Sequence, residues 1–243
     1  MTRAKKVDQA RPKSNRPILV IGNSHTVAIA AALDEATADL VDVVNLKSHQ
    51  GGRTESNKRL RPALAKEFAP KRIFCTFGGS EHNVIGLIEA PTRFDFEFGS
   101  IADLDPDRWA VPLSVMKATL HERMSIWLGL ATELKRMFDV PIMHLCSPPP
   151  FLHLDGDSAL PTAFRDKAHL GITPPSIRMK LHALLTEIAQ EHMKSAGIGF
   201  LPVPAKSVDE AGYLRREFWT RDPTHGNESY GGLVLEQILG VRP

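Results

Sequence analysis

Little in this sequence calls for covalent or membrane restraints. Two cysteines occur in 243 residues. Cys75 and Cys146 both lie in apolar, strand-like runs, as buried free thiols do, so a disulfide framework is excluded and neither has metal-ligand spacing. No apolar run is long enough to span a bilayer. Net charge is close to zero, +2 at neutral pH, which argues against nucleic acid or an anionic membrane as the main partner. The first 16 residues are basic but lack the apolar centre of a secretory signal. They read as a flexible arm, and a cytoplasmic protein is the default expectation. No internal repeat is present. The glycine signatures of dinucleotide and phosphate loops are missing too, because Gly22-Asn23-Ser24-His25 is followed by no further glycines.

What the chain does contain is alternation. Apolar, β-branched segments at residues 18–21, 40–46, 72–77, 140–145 and 198–203 predict five strands. Helical patterns separate them. An alanine-rich stretch runs from Ser24 to about residue 38, and a polar one spans about residues 55–68. A long amphipathic stripe follows in Met116, Leu120, Met124, Trp127, Ala131, Leu134 and Phe138, and another in Ile177, Leu181, Leu184, Leu185 and Ile188. Tyr230, Leu233, Val234 and Ile238 mark the last helix. Such alternation predicts a parallel sheet covered on both faces, in one domain over residues 17–243. Inserted loops are expected at about 86–113 and 147–175. Within the first, Phe94, Phe96 and Phe98 alternate with acids, like a half-buried strand or hairpin arm. The inserted aromatic and apolar residues either wall a pocket or pack down against the body.

Ligands of parallel α/β sheets bind at the carboxyl ends of the strands. That edge should carry Ser24, the Gly51-Gly52 loop, the loop from Gly78 to Asn83, and Ser147. Ser24 stands where strand turns into helix. It is either an N-cap or a nucleophile placed against free N–H groups that favour an oxyanion. A serine hydroxyl needs an imidazole to take its proton, and the imidazole needs a carboxylate to hold its tautomer. Asp222-Pro223-Thr224-His225 presents both groups on one tight turn, although Asp222 alone could be a turn cap. His82 is read as structural or substrate-touching, His25 as a local packing or capping group, and Arg53 as a loop arginine. No histidine pair has convincing metal spacing, so neither metal nor cofactor is expected.

Taken in order, these blocks resemble the SGNH/GDSL hydrolase family. Ser24 in Gly-Asn-Ser-His matches the nucleophile block, usually Gly-Asp-Ser. Gly52 in Gly-Gly-Arg-Thr matches the second-block glycine, and Asp222 and His225 match the final block. The third block departs: Ser80 and Glu81 stand where Asn-Asp is usual, and Asn83 follows three residues after Ser80. The resemblance implies a flavodoxin-like three-layer α/β/α sandwich with a five-stranded parallel sheet. It also implies a catalytic triad of Ser24, His225 and Asp222. An oxyanion hole would be made by Ser24, Gly52 and Asn83, with Ser80 as the alternative donor. Serine-dependent hydrolysis of a small-molecule carboxylic ester, such as deacetylation of a carbohydrate, is the implied activity. An O-acyltransferase on the same scaffold, a catalytically impaired binding module and a flavodoxin-like cofactor binder are the alternatives. The sequence does not set the oligomeric state.

Overall fold

A computed structural model describes residues 13–48, 59–154 and 159–241. Gly51, Gly52, Arg53 and the first part of the helix expected at 55–68 lie outside the described residues, as does nearly all of the basic arm. In chain order the elements are β1 (Ile18–Gly22), α1 (Thr26–Ala31), α2 (Glu35–Ala38), β2 (Val41–Asn45), α3 (Leu64–Glu67), β3 (Arg72–Thr76), α4 (Glu81–Gly86), β4 (Phe94–Asp95), β5 (Trp109–Ala110), α5 (Leu113–Met137), β6 (Ile142–Leu145), α6 (Thr162–Arg165), α7 (Pro175–Ser195), β7 (Gly199–Leu201) and α8 (Glu228–Gly240).

The main sheet is five-stranded, ordered β2-β1-β3-β6-β7, and every pairing is parallel. This is the flavodoxin-like order, with its switch point at β1 and β3. β1 is buried along its length, and its side chains alternate between two cores. Leu19 and Ile21 pack with α5 and α7 on one face. Ile18 and Val20 pack with Ile29 of α1 and with Val234, Leu235 and Ile238 of α8 on the other. The β1–β3 register puts Gly22 beside Thr76. A Cβ on Gly22 would run into the Thr76 carbonyl, so glycine is needed here for close approach.

Three expectations change. The helix after Ser24 is broken: α1 ends at Ala31, and Asp34 starts α2 with a capping box. In that box Asp34 Oδ1 accepts the Thr37 N–H at 2.8 Å, and Thr37 Oγ1 accepts the Asp34 N–H at 2.9 Å. Upstream of β3, α3 covers only Leu64–Glu67 of the longer helix expected there. The Phe94 segment is no hairpin arm, since β4 pairs with β5 in parallel. Nor is its alternation apolar-in and acid-out. Asp95 is buried because Lys180 of α7, itself 0% exposed at the side chain, donates to both carboxylate oxygens at 3.0 and 3.2 Å.

Candidate active site

Ser24 follows β1, and its hydroxyl does not cap α1. The N-cap position is His25, which makes no side-chain capping bond. Ser24 Oγ instead lies 2.7 Å from His225 Nε2. His225 Nδ1 lies 2.8 Å from Asp222 Oδ2. A carboxylate only accepts, so Nδ1 carries the imidazole proton and Nε2 turns its lone pair to the serine hydroxyl. Among the described residues nothing accepts the Ser24 N–H.

The loop holding Asp222 and His225 is tied at both ends. Trp219 and Gly226 form an antiparallel bridge. Asn227 caps α8 by accepting the Tyr230 N–H at 3.1 Å, while its amide donates to the carbonyls of Glu217 and Trp219. Thr220 Oγ1 donates to the Asp222 carbonyl at 2.6 Å and accepts the Asp222 N–H at 3.0 Å. Thr224 donates to Asp222 Oδ1 through both its hydroxyl, at 2.6 Å, and its N–H, at 2.9 Å. Burial is the largest single influence on Asp222 and pushes its pKa up. The bonds from His225 and Thr224 together outweigh it, so the carboxyl sits below its ordinary value. Phe151 stacks on Trp219 with centroids 4.6 Å apart and supports the loop from below. The bracing by Thr220, Thr224 and Asn227 carries no sequence signal beyond the polar character of the loop.

Behind Ser24 lies the turn after β3. Gly78 and Gly79 have φ of 69° and 90°, a region that favours glycine. The Glu81 carboxylate accepts the Gly79 N–H at 3.0 Å, and burial raises its pKa. Glu81 thus braces the turn through its side chain. A Cβ on Gly79 would lie 2.7 Å from Ser147 Cβ and 3.3 Å from His25 Nε2. The ends of β1, β3 and β6 therefore meet here. His25 packs against His225, ring centroids 5.0 Å apart. Burial, then the nearby His225, lowers its pKa to about 3, so it is neutral beside His225. His82 is 2% exposed and stands edge-on to His182 at 5.1 Å, which makes it structural.

Ser24 and His225 open on a cleft of about 410 Å³, walled by α1 and the start of α8. Ser80 stands at the N-cap of α4, and Asn83 is buried within that helix. Neither borders the cleft, and no described residue of either inserted loop lines it. Phe96 is instead wholly buried in the core with α5 and α7. Among the described residues no three metal-ligating side chains converge, and no helix is long and apolar enough to cross a membrane.

No family model and no curated protein matches the sequence. Solved structures do resemble it in fold. A Streptococcus pneumonia protein designated a platelet activating factor is 16% identical, covers 93% of this chain and 83% of its own, and has a TM-score of 0.50. A GDSL-like lipase from Bacteroides thetaiotaomicron is 12% identical over 92% of this chain and 86% of its own, TM-score 0.45. An aryl esterase of M. Smegmatis is 12% identical over 93% and 99%, TM-score 0.44. The all-parallel sheet in its flavodoxin-like order, flanked by helices, is the three-layer fold of the SGNH/GDSL hydrolases.

Proposed function

We propose that this protein hydrolyses carboxylic esters through an acyl-enzyme on Ser24. The observation that carries the reading is the unbroken hydrogen-bonded series Ser24 Oγ, His225 Nε2, His225 Nδ1, Asp222 Oδ2, at 2.7 and 2.8 Å. Ser24 Oγ adds to the ester carbonyl carbon as its proton passes to His225 Nε2. Asp222 stabilises the resulting imidazolium without taking the proton. The tetrahedral intermediate collapses, the C–O bond to the alcohol breaks, and His225 returns the proton to the departing oxygen. Water, deprotonated by the same nitrogen, then attacks the acyl carbon, and Ser24 leaves with its proton restored. Serine, histidine and water account for every atom and proton moved.

The oxyanion is assigned to the N–H of Ser24, the N–H of Gly52 and the side chain of Asn83, with Ser80 as the alternative to Asn83. Each such donor supplies roughly 2.7–4 kcal/mol of transition-state stabilisation in enzymes of this kind. The altered third block favours a second reading, a binding module that holds an ester without turning it over. Asn83 sits buried in α4, away from the cleft.

A fluorophosphonate probe followed by peptide mass mapping separates the two. Labelling confined to Ser24 and abolished in His225→Ala is the expected result. A folded protein that takes no label would favour the binding module.

A further inference from the structure

We infer that the cleft beside Ser24 receives the alcohol half of the ester and selects an apolar alcohol without negative charge. This rests on the ester-hydrolase reading above. The side of the cleft is the first argument. Its walls are Val27, Ala28 and Ala31 of α1 and Gly226, Asn227 and Glu228 next to His225. His225 must reach the departing oxygen to protonate it, so the leaving group lies on the His225 side of the serine. The turn of Gly79 to Asn83, on the proposed oxyanion side, borders none of this space.

The surface chemistry is the second argument. Ser24, Val27, Ala28 and Ala31 share one helical face, so the wall leading from the nucleophile is methyl groups, with Val27 exposed to solvent. The floor cannot deepen, because Gly231 of α8 packs directly on the Ala28 backbone and a Cβ there would strike the Ala28 carbonyl. The volume of about 410 Å³ lies within the usual range for small-molecule sites. Charge is the third. The cleft carries Asp222 and Glu228, His25 is neutral, and no lysine or arginine lines it among the described residues. Two carboxylates, with no lining cation among the described residues, oppose an anionic leaving group and leave neutral or cationic alcohols favoured.

The full-length protein and its Ala31→Trp and Glu228→Lys variants test this, with folding checked by thermal melting. The substrates are aryl acetates matched in leaving-group pKa and bearing no charge, a trimethylammonium or a sulfonate, together with methyl acetate and an acyl series of 4-nitrophenyl acetate, butanoate and hexanoate. For the wild type, kcat/KM is expected to be about tenfold or more lower for the sulfonate ester, and Glu228→Lys should narrow that gap. Ala31→Trp should change the aryl-to-methyl acetate ratio by about tenfold or more while the acyl-length ratios hold. Acyl-length ratios that move instead would assign the cleft to the acyl half and overturn the inference, as would a sulfonate ester used as well as the others. Glu228→Lys alone keeps the charge claim testable if the tryptophan variant does not fold. Wild-type protein with no Ser24-dependent turnover of any ester would sink the hydrolase reading itself, and the inference with it.

Discussion

Asp222 receives three donors, and each has a different task. The His225 N–H sets the tautomer, whereas the two bonds from Thr224 hold the carboxylate so that Oδ2 faces the imidazole. Asp222→Asn offers an amide donor where an acceptor is needed and turns the imidazole to the wrong tautomer. We expect kcat to fall roughly 10³- to 10⁴-fold with KM little changed, measured on an activated ester. Ser24→Ala and His225→Ala should each cost about 10⁴-fold or more, and the double variant should be no worse than either single one, since the two act as a unit. That these three side chains meet was readable from the sequence, because the proposed chemistry demands their types and the topology demands their places. A hydroxyl must end a strand, and acid and base fit on one turn. Glu81 was not readable in its role. A carboxylate beside two glycines reads as surface charge, and only the positive φ of Gly78 and Gly79 shows that it braces their turn.

The crossing of α1 on α8 sets the distance between Ser24 and His225, since Ser24 leads into one helix and His225 into the other. Gly231 makes that crossing backbone against backbone. Gly231→Ala must push the helices apart, and we expect about 1–3 kcal/mol of lost stability by urea denaturation, with a larger proportional loss of kcat than of substrate affinity. The long elements were legible from periodicity alone: α5 and α7 fill the stretches their apolar stripes marked. Breaks in periodicity were harder. Nothing in an alanine-rich run reveals that Asp34 will stop α1 and cap α2. Lys180, within the stripe of α7, reads as solvated until Asp95 is seen opposite it. Lys180→Met would leave that carboxylate buried and short of its cation, at a cost of about 3–5 kcal/mol.

For the molecule as a whole, the buried imidazoles govern the response to acid. Burial lowers His144 and His182 to about 4 and, with the charge of its neighbours, His25 to about 3. Unfolded, each of these titrates near 6.5. Between those values the unfolded chain binds more protons than the folded one, so acid favours unfolding. Each histidine contributes up to about 1.4 kcal/mol of lost stability per pH unit in that window. Asp222, whose carboxyl is depressed, adds its loss only at lower pH, below the ordinary carboxylate range. Denaturation midpoints should therefore fall steeply from pH 6 to pH 4.5 and stay level from pH 7 to pH 8. Ser24, just after β1, and His225, just before α8, stand 201 residues apart in the chain. On the ribosome Ser24 therefore emerges 201 residues ahead of His225. On the proposed reading, the Ser24 hydroxyl is an ordinary, unreactive alcohol until His225 has been made and has reached it. Nascent chains stalled before His225 should take no fluorophosphonate label, however much of the sheet has already formed.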